Sequence, residues 1–206
     1  MKKIVLALVV VATSLVSCKE KEDKKTAINE EVKVEKVVID SNVNIAESVV
    51  LWKGFKPTGT HNGTVKLTSG NMTVENGVIS AGEFVMDMTS ITDADGSKRL
   101  EGHLKSADFF EVEVYPTSKF VITDVKNNEG KLAITGDLTI KDVTKSVTIP
   151  ATVSTVDGVV VFKSETFELN RADYNVKYKS KSFFNDLKDK FINDNMEISF
   201  EVKGAK

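Results

Sequence analysis

Two histidines (His61 and His103), a single cysteine (Cys18) and the carboxylates Asp93 and Asp95 are the side chains of this chain best suited to chemistry. Their spacing argues against most of it. A metal centre takes three or more convergent ligands, and no HxH, HExxH or CxxC pattern supplies them locally. Asp93 and Asp95 fall in the turn-rich Asp93-Ala94-Asp95-Gly96-Ser97, which lacks the far bidentate acid of a calcium loop. There is no Gly-x-Ser-x-Gly elbow, no Gly-rich phosphate loop and no framed serine or cysteine nucleophile. The expectation is a chain with no catalytic residues, no metal and no cofactor. Each histidine then either orders a loop by hydrogen bonding or faces the polar head of a ligand.

The remaining candidates are aromatic or cationic. Leu100, Leu104 and Ala107 fall at i, i+4 and i+7, which predicts a short helix over Ser97 to Ala107 with one apolar stripe. Phe109 and Phe110 follow it as a plug, a core filling that can also line a ligand's path, and Asp108 is placed to accept from nearby backbone donors. Arg171, close to Tyr174, suits an ion pair as well as it suits a phosphate or carboxylate head group. Trp52 reads either as core or as an amphipathic gate. Phe183 and Phe184 open a second possible helical turn, to Lys188.

Two-residue alternation surrounds these candidates and must position them. Val65 and Leu67 share a face; so do Val78, Phe84, Met86 and Met88, and so do Phe120 and Ile122. Leu132, Ile134, Leu138 and Ile140 oppose Lys131, Thr135, Asp137 and Thr139, while Met196, Ile198, Phe200 and Val202 oppose Glu197, Ser199, Glu201 and Lys203. Each strand has one wet and one dry side. Ser69-Gly70, Asn76-Gly77, Asn127 to Gly130 and Asp157-Gly158 read as tight hairpin turns, so neighbours are antiparallel. Half-buried antiparallel strands in this number either pair as a sandwich or close on themselves, and closure removes the exposed edges. The fold expected is mainly β: a single antiparallel barrel of about eight strands with one or two short helices, just wide enough for side chains or one slender ligand.

The N-terminus is of another kind. Lys2 and Lys3, an apolar run from Ile4 to Ala12 and the box Leu15-Val16-Ser17-Cys18 read as a signal peptide over residues 1–17, too short to span a membrane. The only cysteine ends that box, as in a lipoprotein whose Cys18 is acylated. Residues 18–36 follow as a charged tether with too little apolar content to pack, leaving 37–206 as one domain. The formal charge of −2 offers no footprint for nucleic acid. With one cysteine no internal disulfide can form, so the fold rests on apolar burial.

Three segments carry a family resemblance. His103 to Phe120 is similar to HLxSxDFFxxxxYPxxxF, and Gly136 to Val147 to GxLTIxGVTKxV, both of the YceI-like family. The tail from Asn170 to Asp194 resembles DRTxxxIxYxSxSFFxxLxDxxIxD, with Ser180, Ser182, Phe183, Phe184 and Leu187 in place. It departs at Asn170 and Ala172, so a charged partner for Arg171 must come from elsewhere, with Asp173 and Asp194 as candidates. The resemblance implies a lipocalin-like barrel that binds a polyisoprenoid or similar long-chain lipid without catalysis. The residues implied to line it are Trp52, His61, Phe84, Met86, Met88, His103, Leu104, Phe109, Phe110, Phe120, Ile122, Leu138, Arg171, Tyr174, Phe183 and Phe184. Lys19 to Asp23 resembles the surface-export signal of Bacteroidetes lipoproteins and equally a plain linker. The expected partners are the lipid, the membrane through the Cys18 anchor, and a second copy as a homodimer. The expected place is the cell envelope, lipid-anchored to the outer membrane on its periplasmic face or at the cell surface.

Overall fold

The computed structural model describes residues 36–205. The signal peptide, Cys18 and the tether up to residue 35 lie outside them. The strands are β1 (Val38–Asn42), β2 (Val49–Lys56), β3 (Gly59–Glu75), β4 (Val78–Asp93), β5 (Thr117–Asn128), β6 (Lys131–Ile140), β7 (Val143–Val156), β8 (Val159–Ser164), β9 (Phe167–Asn170) and β10 (Asn195–Lys203), with helix α1 (Lys98–Lys105) between β4 and β5. Starting at β3 the order runs β2, β10, β8, β7, β6, β5, β4 and back to β3, every pairing antiparallel. Eight strands therefore close a barrel, which removes the free edges that alternating strands would otherwise expose. The two extra strands lengthen its wall: β1 continues β2 along the far part of β3, and β9 continues β8 along β10.

Three of the expected hairpins form at two-residue turns with both residues at positive φ: Asn76-Gly77, Glu129-Gly130 and Asp157-Gly158. That sign matches the right-handed twist of the strands they join. Lys141-Asp142 makes a fourth such turn, at φ 49° and 57°, without a glycine to announce it. Ser69-Gly70 is a correction, because it lies inside β3, where the pairing slips from Leu67↔Met86 to Ser69↔Val85. The glycine serves a bulge and a close approach. A Cβ on Gly70 would sit 2.8 Å from Val43 Cγ2 and 3.2 Å from Phe84 Cδ1.

A second bulge corrects the parity of β4. Val74 pairs with Ile79 but Thr73 with Ala81, so one extra residue intervenes and the inward face switches. Ile79 is consequently buried, and Val78 does not share a face with Phe84. The helix forms as α1, shorter than expected at Lys98–Lys105, with the Ser97 side chain accepting from Leu100 N. Phe183 to Leu187 is not helical, which is a further correction, and only a single 3-10 turn, Lys188–Lys190, follows. Asp186 and Lys188 there take φ of 61° and 45°, which an α-helix of L-residues does not accommodate.

The barrel is solid at one end and hollow at the other. Toward the turns at Asn76-Gly77 and Glu129-Gly130, Met72, Val74, Ile79, Ile134 and Val160 are all at most 1% exposed and fill the interior. Beyond Phe84, Phe120 and Phe162 the inward side chains stand apart around open space. Gly136 sits at this boundary, where a Cβ would run into the ring of Phe120 and the carbonyl of Val121.

Candidate functional site

The hollow end is a cavity of about 780 Å³, within the size range that encloses one small-molecule ligand. Its wall is apolar because the inward positions of β3, β4, β5, β6 and β10 carry Leu67, Phe84, Met88, Phe120, Leu138 and Phe200. Inward residues from Met196 to Val202 all line it, a run of about 20 Å of strand and, at a usual barrel tilt, about 15 Å of depth. The floor is aromatic: ring centroids lie 5.6 Å apart between Phe84 and Phe162 and 4.8 Å apart between Phe162 and Phe200.

Residues 171–194 strap the open end. Asn193 N donates to Phe55 O of β2 at 2.9 Å, and Tyr178 packs edge-on against His103 of α1 with centroids 4.7 Å apart. Phe109 completes that cluster, 5.0 Å from His103 and 5.5 Å from Tyr178. Arg171 fastens the strap to itself. Its Nε donates to Asn193 O, Nη1 to Val176 O and Nη2 to Ile192 O at 3.0, 2.7 and 3.0 Å, with Nη2 also 3.3 Å from Asp194 Oδ1. The charged partner left open by the sequence is therefore Asp194, whereas Asp173 is exposed. Asn170, in place of the family's Asp, accepts from Ala172 N and caps the short turn that follows.

Burial raises the Asp194 carboxyl, but hydroxyls of Ser182 and Ser180 and the charge of Arg171 more than offset it, holding its pKa below the ordinary value. Tyr174 goes the other way. Burial, and then the charge of Asp173, push its phenol up to about 12, and its hydroxyl has no hydrogen-bond partner among the described residues.

The two histidines differ in their partners: His103 has a hydrogen bond, whereas His61 Nδ1 has none among the described residues. His103 Nε2 lies 3.0 Å from Asp108 Oδ2, so its ring orders the end of α1 while one face still lines the cavity. His61 Nδ1 lies 3.7 Å from Asp93 Oδ1, and the Asp93 side chain is 1% exposed. Asp93 also closes the turn into α1: Oδ2 accepts from Ser97 N, and its own N–H donates to Glu101 Oε1. Ligand atoms of His61, Asp93 and Asp95 come within 4.8 Å of one another. Three such groups could hold a divalent cation with a fourth position open. Spacing within one segment could not reveal this group, because His61 comes from β3, Asp93 from the end of β4 and Asp95 from the turn into α1.

Of the residues implied by the resemblance, Trp52, His61, Phe84, Met86, Met88, His103, Leu104, Phe109, Phe110, Phe120, Leu138 and Arg171 surround the cavity. Four stand elsewhere. Ile122 packs on the core without lining the cavity, Tyr174 is buried within the strap itself, and Phe183 and Phe184 point away, 48% and 50% exposed. The sequence reading missed Lys56, Arg99, Lys179 and Lys190, which ring the mouth. They come from a strand end, a helix start and the strap, where no periodicity marks an inward side chain. Trp52 is held in place by its Nε1, which donates to Thr92 O at 3.1 Å.

The YceI-like domain model matches residues 37–204. A UPF0312 protein of Pseudomonas putida strain W619 is 39% identical over 92 residues, 44% of this chain and 48% of that protein. Protein YceI of Escherichia coli O157:H7 is 44% identical over 63 residues, 31% of this chain and 32% of that one. The chain thus spans about half the length, or less, of these curated relatives. Among solved structures, BcnA of Burkholderia cenocepacia superposes with a TM-score of 0.67 at 22% identity, covering 79% of this chain and 99% of that one. A polyisoprenoid binding domain from Saccharophagus degradans superposes with a TM-score of 0.60 at 13% identity, covering 82% and 100%. At such identities the likeness is one of fold.

Proposed function

Because the chain belongs to the YceI-like domain family, we propose that its half-hollow barrel binds one long-chain isoprenoid or similar amphiphile tail-first and carries it chemically unchanged. The observation that carries this reading is the apolar cavity of about 780 Å³ with an aromatic floor and a cation-ringed mouth. A tail entering it leaves water at roughly 25 cal/mol per Å² of apolar surface removed. Affinity then grows with tail length down to the floor, and polar groups at the mouth set orientation. The Saccharophagus degradans domain, named for polyisoprenoid binding, supports the ligand class.

A filled barrel serving only as a structural or adhesive surface domain is disfavoured by the open half of the interior. A lipid-modifying enzyme is disfavoured because the donors of Arg171 already serve the strap. Purified protein extracted with organic solvent and analysed by mass spectrometry tests the proposal. A co-purified long-chain lipid, recovered unchanged after long incubation, is expected. Its time-dependent conversion, or an empty barrel that takes up no added isoprenoid, would sink the reading.

The same proposal places the protein in the cell envelope, anchored through an acylated Cys18. Its support is the sequence of residues 1–18 alone. Fatty-acid labelling that survives Cys18→Ser would contradict it. The Bacteroidetes-type export signal gains no support from relatives in Pseudomonas and Escherichia.

A further inference from the structure

Phe183 and Phe184 are adjacent in sequence, about half exposed, and the only aromatic side chains among the large apolar residues left exposed in the described part of the chain. They sit on the strap, a few residues from Lys179, Lys190 and Phe191, which line the cavity mouth. Solvent-facing aromatics are costly, and a neighbouring pair at the entrance of an apolar cavity calls for a partner. The surroundings indicate its chemistry. Residues 177–190 contain five lysines (Lys177, Lys179, Lys181, Lys188 and Lys190) against only Asp186 and Asp189, in a chain whose overall balance is 28 basic to 30 acidic. Lys177 Nζ lies 4.7 Å from the Phe183 ring centroid and Lys181 Nζ 3.5 Å from that of Phe191. Aromatic rings with lysines folded beside them are amphipathic in the sense that suits a bilayer interface. The rings enter the headgroup and acyl boundary while the ammonium groups reach anionic headgroups.

The loop is also built to hold that presentation. Asp194 Oδ2 accepts from the hydroxyls of Ser180 and Ser182 at 2.8 and 2.7 Å, and Ser180 Oγ accepts from Ser182 N. The base of the loop is therefore fixed immediately before Phe183.

We infer that the strap docks the barrel, mouth first, onto an anionic lipid bilayer through Phe183 and Phe184 with their flanking lysines. This rests on the carrier reading, and it gives that reading a route by which a lipid tail passes between bilayer and cavity without crossing water.

The test uses the full chain carrying Cys18→Ser, so that one reporter cysteine can be labelled with the environment-sensitive dye NBD. Phe184→Cys places it on the strap, and Asn128→Cys, at the β5–β6 hairpin, places it at the opposite end. Vesicles are phosphatidylcholine alone or with about one third phosphatidylglycerol. Emission at position 184 is expected to shift blue and rise severalfold on the anionic vesicles only, to fall back with salt, and to be lost in Lys181→Glu/Lys188→Glu. Position 128 should not respond. No change at 184, an equal change at 128, or a change at 184 that follows protein concentration instead of vesicles would overturn the docking surface. Co-purified lipid is scored on the same samples. Retained lipid without insertion would remove the docking and leave the carrier standing, while insertion without lipid would do the reverse.

Discussion

Arg171 and Asp194 are joined at 3.3 Å between Nη2 and Oδ1, and both belong to the strap, not to the cavity's chemistry. The arginine is 4% exposed and delivers its other donors to three backbone carbonyls, so one planar cation organises residues 176, 192 and 193 at once. A lysine offers a point charge that cannot match this fork. Arg171→Lys should therefore lower stability by roughly 2–4 kcal/mol, a fall in Tm of about 5–15 °C for a chain this size. Thermal unfolding followed by circular dichroism checks it. An unchanged Tm with weakened ligand binding would return Arg171 to the head-group role.

The Asp194 carboxyl titrates below its ordinary value in the folded chain. Its contribution is then complete above the ordinary carboxylate range and drains away as pH falls through the lower folded value. Asp194→Asn should cost stability at pH 7, and the gap to the parent should narrow below about pH 4. Urea midpoints measured across pH 2–7 on both proteins decide it. A gap that stays constant to the acid end contradicts the assignment.

Tyr174 sets the alkaline limb. Its phenol is pushed up to about 12 in the fold, so the neutral form is favoured there, and its contribution is full below the unfolded value near 10 and lost as pH rises toward 12. Tyr174→Phe removes a buried hydroxyl that has no partner among the described residues. The expected outcome is a stability within about 1 kcal/mol of the parent at pH 7 and a shallower decline above pH 10. A loss of several kcal/mol at neutral pH would mean that the hydroxyl is satisfied.

Met86 lines the cavity and Val85 does not, although they are neighbours in β4. A carboxylate at position 86 would face the apolar interior unpaired, at a cost of several kcal/mol. Met86→Asp should abolish retention of a long-chain lipid and lower Tm, whereas Val85→Asp should do much less. The reverse order would place the bulges of β4 differently from the register described above.

The strands and their wet and dry sides were legible because the side-chain period of a strand is two and water sorts the faces. From Met196 to Val202 every second side chain lines the cavity and those between do not. Asn76-Gly77 and Asp157-Gly158 were legible as turns for a similarly local reason, since positive φ favours those residues. Only tertiary structure decided which end of the barrel is solid, because Met72 and Ile134 at the filled end are the same kinds of residue as Met88 and Leu138 around the cavity. Bulges were equally hidden. One extra residue beside Ala81 exchanges Val78 for Ile79 on the inner face, and nothing in the hydrophobic pattern says where pairing slips. The resemblance placed Phe183 and Phe184 along the ligand, yet both are about half exposed. Strap geometry anchored through Ser180, Ser182 and Asp194 turns them outward, because hydrogen bonds between residues distant in the chain can outweigh the local preference of an aromatic ring for burial.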